Sequence, residues 1–246
     1  MALIDKLSAI GNAIRSKTGK TDLLTLDQMP TEISSIIVNK APAIVDKTVT
    51  EISEDDLKGC TKIAYSAFFS CTALTSVSIP DSVTEIDDNA FQSCISLISI
   101  TIPATVTRIG RYVFYGCEDL ETVSFGEGIR LPSISAGTFD NCKKLRSINL
   151  PEGITVLGDG AFRDCSGLTS IKIPASVTEI KNDVFINCTS MTVYDFTDHT
   201  SVPTLYRTAF EGISSTCKIR VPNSLYNEWV SSGWWSDYAD NIVGVV

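Results

Sequence analysis

Side chains able to do chemistry are sparse along this sequence, and their neighbours decide what each could do. The single histidine, His199, stands beside an aspartate in Thr197-Asp198-His199-Thr200, the acid and base of a nucleophilic triad. A triad also needs a nucleophile within hydrogen-bond reach, and the Gly-x-Ser-x-Gly turn that would present a serine is missing. A polar loop is the expectation there. Thr18-Gly19-Lys20-Thr21 matches the end of a phosphate loop, but the glycine required five residues before Gly19 is Ile14, and no strand precedes it. Glu51, Glu54, Asp55 and Asp56 form an acidic run, as do Asp87 and Asp88. Neither has the alternating ligands and glycine of a calcium loop, so both are expected to be solvated surface. Asn187-Cys188-Thr189 fits the glycosylation pattern, with a core cysteine in its middle. No catalytic residue, cofactor or metal ligand is therefore expected.

Cysteine is the remaining reactive type, and its spacing leads to the scaffold. Phe68, Phe91, Phe114, Phe139, Phe162 and Phe185 follow one another at steps of 23, 23, 25, 23 and 23. Three residues after each comes Cys71, Cys94, Cys117, Cys142, Cys165 or Cys188, and three further on Leu74, Leu97, Leu120, Leu145, Leu168 or Met191. Prolines close the next segment at Pro80, Pro103, Pro151 and Pro174, with Gly126 standing in once. The clearest unit reads Leu74-x-x-Val77-x-Ile79-Pro80-x-x-Val83-x-x-Ile86-x-x-x-Ala90-Phe91-x-x-Cys94. A fixed period in the twenties marks a solenoid of stacked coils, each too small to bury its apolar side alone.

This unit resembles the bacterial leucine-rich repeat of the BspA-like type, first noted in spirochaete and Bacteroides surface proteins. The resemblance covers residues 57 to 196 almost position by position, apart from a two-residue insertion near Arg130-Leu131-Pro132 and a degenerate unit ending at Phe210. It implies an α/β solenoid of about seven coils with a parallel sheet on one face. The insertion is expected to bulge from one coil without breaking the stack.

Within each coil, Val77-Ser78-Ile79 and its equivalents alternate as a half-buried strand does. Pro80, which has no N–H, ends the strand and turns the chain. Val83, Ile86 and the Ala-Phe pair then face inward from the opposite wall. The phenylalanines are expected to stack as a spine, each worth about 3–5 kcal/mol against alanine. Zinc would need converging Cys-x-x-Cys pairs, which are missing. Disulfides between neighbouring coils are in range, but parallel side chains in one column hinder the S–S torsion. The cysteine column is therefore read as small buried thiols, with Cys60 and Cys217 as further core residues. By alternation the outward positions of the sheet are Ser76, Ser78, Ser99, Thr101, Thr122, Ser124, Arg146, Ser147, Asn149, Ser170 and Lys172. This hydroxyl-rich face is the candidate interaction surface, with Tyr65, Phe69, Tyr112 and Tyr115 on the other wall as alternative anchors.

An open solenoid needs covered ends. Residues 47–221 are assigned to the solenoid and 222–246 to a C-terminal cap. In the cap, Asn223 or Ser224 starts a short helix through Trp229, Gly233 breaks it, and Trp234, Trp235 and Tyr238 seal the last coil. Asn241 to Val245 could add a strand. At the other end, Leu3, Leu7, Ile10 and Ile14 form a helical stripe, and a second helix begins near Asp27. Residues 1–38 are read as a helical docking segment and 39–46 as a linker. The stretch from Ala9 to Ile33 resembles a leader on tail-associated proteins of phages and prophages, which implies docking of residues 3–37 to a larger assembly.

Net charge is −9 with a pI near 4.6, so nucleic acid and anionic lipid are poor partners. No apolar run reaches the roughly 20 residues of a membrane-spanning helix, and Met1-Ala2-Leu3-Ile4-Asp5-Lys6 does not read as a signal peptide. The expectation is a protein that is cytoplasmic on synthesis, with a virion or the cell surface, by a non-classical route, as alternatives. A non-catalytic module for protein interaction or adhesion, binding a protein or host-surface ligand, is the functional expectation. A structural or receptor-facing part of a phage or prophage tail is the alternative.

Overall fold

The computed structural model describes residues 47–246; the readings of residues 1–38 and of the linker up to residue 46 lie outside the described residues. The chain winds into a solenoid of about eight turns, with two walls of short parallel strands. The first wall carries β1 (Glu51–Ile52), β3 (Ser76–Ser78), β5 (Ser99–Ile102), β7 (Thr122–Phe125), β10 (Ser170–Lys172), β12 (Val193–Asp195), β14 (Lys218–Pro222) and β15 (Ile242–Val245). Every ladder is parallel and in repeat register: Ser76 faces Ser99 and Ser99 faces Thr122. The second wall also carries strands, each of two residues: β2 (Lys62–Ile63), β4 (Glu85–Ile86), β6 (Arg108–Ile109), β8 (Ser133–Ile134), β9 (Val156–Leu157), β11 (Glu179–Ile180) and β13 (Thr204–Leu205). Threonines reinforce both walls. Thr84, Thr107, Thr155 and Thr178 each donate Oγ1 and N–H to a carbonyl one coil earlier, as do Thr75, Thr169 and Thr192.

A third ladder runs along the phenylalanine corner. Ser66, Phe68 and Ser70 donate their N–H groups to Asp88, Ala90 and Gln92 of the next coil, and the pattern recurs at Asn89, Phe91 and Ser93. It requires left-handed backbone two residues before and two after each ring, filled by Ser66, Ser70, Asn89, Ser93, Gly116, Gly137, Asn141, Gly160, Asp164, Asp183 and Asn187. Short polar residues and glycine tolerate that conformation. The exception is Tyr112, at φ +56°.

The insertion does more than bulge. Both walls are interrupted at its coil: β6 is not laddered to β8, and between β7 and β10 the rung at 148–150 contributes a single bridge, Asn149 to Lys172. Pro132 occupies the place of Thr84 and Thr107, so it has no N–H for the Thr107 carbonyl; the Ser135 hydroxyl bonds the Ile109 carbonyl instead, at 2.6 Å. The corner carries the stack across the gap, through the bonds from Tyr112, Phe114 and Gly116 to Ala136, Thr138 and Asp140.

The interior is continuous. Successive spine rings lie 5.1, 5.6, 5.6, 5.4 and 5.6 Å apart from Phe68 to Phe185, within 18° of parallel, and Phe210 extends the row at 5.2 Å. Each column thiol from Cys94 to Cys188 donates to the carbonyl of the phenylalanine one coil back, at 3.1–3.2 Å. Phe68, Phe91, Phe114, Phe139 and Phe162 thus satisfy both carbonyl lone pairs, the second bond coming from the N–H of Cys71, Cys94, Cys117, Cys142 or Cys165. A buried corner with one spare acceptor per coil wants a residue that is small, apolar and a weak donor, and cysteine is all three.

At the C-terminal end, Pro222 finishes β14 and a 3-10 turn, Asn223–Leu225, leads into an α-helix, Tyr226–Ser231. Neither Asn223 nor Ser224 caps it: the residue preceding the helix is Leu225, with no side-chain cap. Trp229 and Trp235 are buried, and Trp235 Nε1 donates to the Pro203 carbonyl at 2.7 Å. Trp234 instead lies exposed, 5.5 Å from the Arg207 guanidinium. Strand β15 pairs with β14 in parallel.

Candidate interaction surface

The outward side chains of the first wall stand in two columns set by the ladder register. One runs Glu51, Ser76, Ser99, Thr122, then Ser170, Val193 and Lys218; the other runs Ser78, Thr101, Ser124, then Asn149, Lys172, Asp195 and Arg220. All eleven positions read from the sequence are exposed, and nine of them stand in these two columns, with Ser147 two residues before Asn149 on the interrupted rung. Arg146 is the departure. It sits one column earlier, in the turn that enters the strand, where its carbonyl accepts both donors of Thr169. Val193, Asp195, Lys218 and Arg220 complete the columns. Counting 23 residues on from Ser170 and Lys172 would have found the first two; the degenerate unit hid the others.

Chemically, the face is smooth. From Ser76 to Ser124 it offers hydroxyls on rungs with no ionic competitor. At its C-terminal end, Lys172 meets Asp198 at 2.5 Å, and Arg220 meets Asp195 at 3.6 Å. Ile98 and Ile95, both exposed, border the hydroxyl columns from the preceding turn. The second wall is ionic instead. Lys62 reaches Asp87 at 2.9 Å and Arg108 reaches it at 2.6 Å. Burial raises the Asp87 carboxyl, but Lys62 and Arg108 outweigh it and hold the group below its ordinary range.

The remaining reactive groups are sequestered. Burial pushes the Cys71 thiol up to about 11 and those of Cys117 and Cys188 up to about 12, so thiolate is scarce at neutral pH. His199 is not the polar loop residue expected from its sequence neighbours. It is 3% exposed, packed edge-on to Phe196 at 5.1 Å and to Trp229 at 6.1 Å. Burial holds its imidazole below the ordinary value. Asp198, its supposed triad partner, faces outward to Lys172. One carboxyl departs in the other direction: Asp140, nearly buried, is pushed up to about 6 by desolvation, against the pull of Arg163. Among the described residues no three His, Cys, Asp or Glu side chains gather as metal ligands, and no helix is long and apolar enough to cross a membrane.

The BspA-type leucine-rich-repeat model matches residues 47–132 and 132–229, in six copies. This chain belongs to that family. One solved structure supports the fold. A leucine-rich-repeat protein from Eubacterium ventriosum matches with TM-score 0.59 at 25% identity, over 67% of this chain and 43% of its own. The T. pallidum leucine-rich-repeat protein is 30% identical over 49% of this chain and 57% of its own, with TM-score 0.47. One from Bacteroides ovatus is 26% identical over 72% and 56%, with TM-score 0.46. This chain thus spans about half the length of the solved proteins it resembles. No curated protein sequence matches it. BspA-type proteins are generally interaction or surface modules, built on a fold that typically serves as a non-catalytic scaffold. The matches fall on the repeats and lend no support to the phage-tail resemblance of residues 1–38.

Proposed function

We propose that this chain is a non-catalytic binding module that engages a protein on a host or neighbouring cell surface through the first wall. The observation that carries the reading is the pair of hydroxyl columns from Ser76 to Ser124. They are rigidly spaced by parallel ladders, exposed throughout and free of the ion pairs that fill the second wall. A flat wall of donors and acceptors at one-strand intervals complements an extended, polar protein surface. The exposed Ile95 and Ile98 at its margin supply apolar contact. The lack of catalysis fits the sequestered chemistry: buried thiols with raised proton affinity, and a histidine turned inward, away from its aspartate neighbour.

Site-directed photo-cross-linking tests this reading. A photoreactive residue at Thr101 or Ser124 should capture surface proteins of the target cell, and Ser99→Arg or Ser78→Arg in the same chain should abolish capture. The same probe at Thr84 or Thr178, on the second wall, should capture little. Equal capture from both walls, or capture indifferent to the arginines, would overturn it.

A further inference from the structure

At one junction between coils, most of the ties that recur elsewhere are missing among the described residues. On the first wall, the N–H groups of Thr75, Ile98 and Glu121 each bond a carbonyl one coil earlier; Arg146, next in the series, does not, and no ladder joins β7 to the rung at 148–150. On the second wall, Pro132 ends the series of Thr84 and Thr107, and β6 is not laddered to β8. Only the Ser135 hydroxyl, on the Ile109 carbonyl at 2.6 Å, ties the coils there. At the bend between the walls, the hydroxyls of Ser82 and Thr105 donate to the carbonyls of Cys60 and Val83 at 2.8 Å; the next place is Gly128, which has no hydroxyl. Between β6 and β8 the break leaves a cleft of about 430 Å³.

The phenylalanine corner of the same junction is intact. The N–H groups of Tyr112, Phe114 and Gly116 bond the carbonyls of Ala136, Thr138 and Asp140 at 2.8–2.9 Å. The Cys142 thiol bonds the Phe114 carbonyl, and the rings of Phe114 and Phe139 stay stacked, 5° from parallel. Lys143 and Lys144 pair with Glu118 and Asp119 of the coil before, each at 2.8 Å. One edge of the junction is closed by bonds, rings and ion pairs, and the opposite edge is open.

The chain itself crosses at the open edge, through Gly126-Glu127-Gly128-Ile129-Arg130-Leu131-Pro132. This connector holds the two residues by which the step from Phe114 to Phe139 exceeds its neighbours, and two residues span about 7 Å when extended. It also holds Gly128 at φ +75°, with nothing within 4 Å of a Cβ placed there, so its backbone is free to turn.

We infer that the phenylalanine corner is a hinge, about which residues 47–126 and 132–246 swing as two rigid halves. The cleft lies on the side that opens, and the connector is a strap that limits the opening to about 7 Å. The corner bonds survive the swing, because they lie on its axis. The hydroxyl rungs up to Ser124 belong to one half, and Lys172, Asp195, Lys218 and Arg220 to the other. The hinge therefore sets the angle between the hydroxyl and charged parts of the first wall, which lets that wall follow the curvature of a partner. It stands whichever wall binds.

Pulsed electron resonance on the full chain tests the hinge, with spin labels carried on unnatural amino acids so that the native cysteines stay untouched. Labels at Thr101 and Lys172 lie three strand spacings apart across the junction, about 14 Å along the wall. Labels at Asn149 and Arg220 lie equally far apart within one half. The first pair should give the wider distance distribution, with a tail reaching up to about 7 Å beyond its main peak. Deleting Arg130 and Leu131 together with Pro132→Thr restores the regular unit and should narrow that distribution to the width of the second pair. A wide distribution that survives this repair would overturn the hinge. So would equal widths for the two pairs in the native chain, whether or not the repaired chain folds.

Discussion

Removing one ring from the middle of the spine should reveal how the coils share their interior. Phe114 is fully buried, with Phe91 and Phe139 each 5.6 Å away and within 6° of parallel. Its replacement by alanine opens a cavity walled by two coils and removes two ring contacts at once. A cost of about 3–5 kcal/mol follows from buried Phe→Ala changes, of which stacking supplies about 0.5–1.5 kcal/mol per pair. With a urea slope of about 3 kcal/mol per M, the midpoint should fall by about 1–2 M. Long solenoids need not unfold in one step, so the readout should be hydrogen exchange resolved by peptide across the titration. Opening should begin in the coils of Phe91, Phe114 and Phe139. Phe68→Ala, whose ring stacks on Phe91 alone among the described residues, should cost about 0.5–1.5 kcal/mol less. The double variant Phe91→Ala/Phe114→Ala should be non-additive by at least about 0.5 kcal/mol. A loss under about 1 kcal/mol at Phe114, or strict additivity, would refute the reasoning.

Three further outcomes follow. Because burial holds His199 below the unfolded value of about 6.5, its stability contribution is complete above that value and is lost as pH falls toward the folded one; His199→Phe should flatten the fall in the cap's melting temperature between pH 7.5 and 5, followed by tryptophan fluorescence, and an unchanged slope would exonerate His199. Asp140 has the opposite sign: its value of about 6 in the fold, against about 3.9 unfolded, makes the charged form costly, so Asp140→Asn should stabilise at pH 7.5 by up to about 3 kcal/mol, with the gain in urea midpoint vanishing near pH 4. Trp235→Phe strips the Pro203 carbonyl of its indole donor and should cost about 1–3 kcal/mol, seen as faster exchange of the β15 amides ahead of the rest.

The interior was legible in the sequence because repetition amplifies it. One phenylalanine at a given place proves little, but six at steps of 23 or 25 define a shared slot. The hydroxyl columns came from the same source, since alternation around Val77 and its equivalents separates inside from outside. The second wall was less visible: two-residue strands such as Glu85–Ile86 are too short to show alternation, and only stacking makes them strands. The left-handed pairs flanking each ring are written in Ser, Asn, Asp and Gly, but Tyr112 breaks that code, and nothing local warns of it. Pro132 was in plain view; the length of ladder it would cost was not. His199 was misread because half of its cover comes from afar. Phe196 and Trp229 close over it, and that packing depends on a cap thirty residues downstream.

Counting reactive thiols tests most directly whether successive coils share one interior. All eight cysteines are buried, in coils spread from Cys60 to Cys217. Intact-mass measurement after iodoacetamide treatment should find the native chain unlabelled, and the urea-unfolded chain carrying eight adducts. Rapid labelling of several column cysteines in the native chain would mean that the coils do not close on one another.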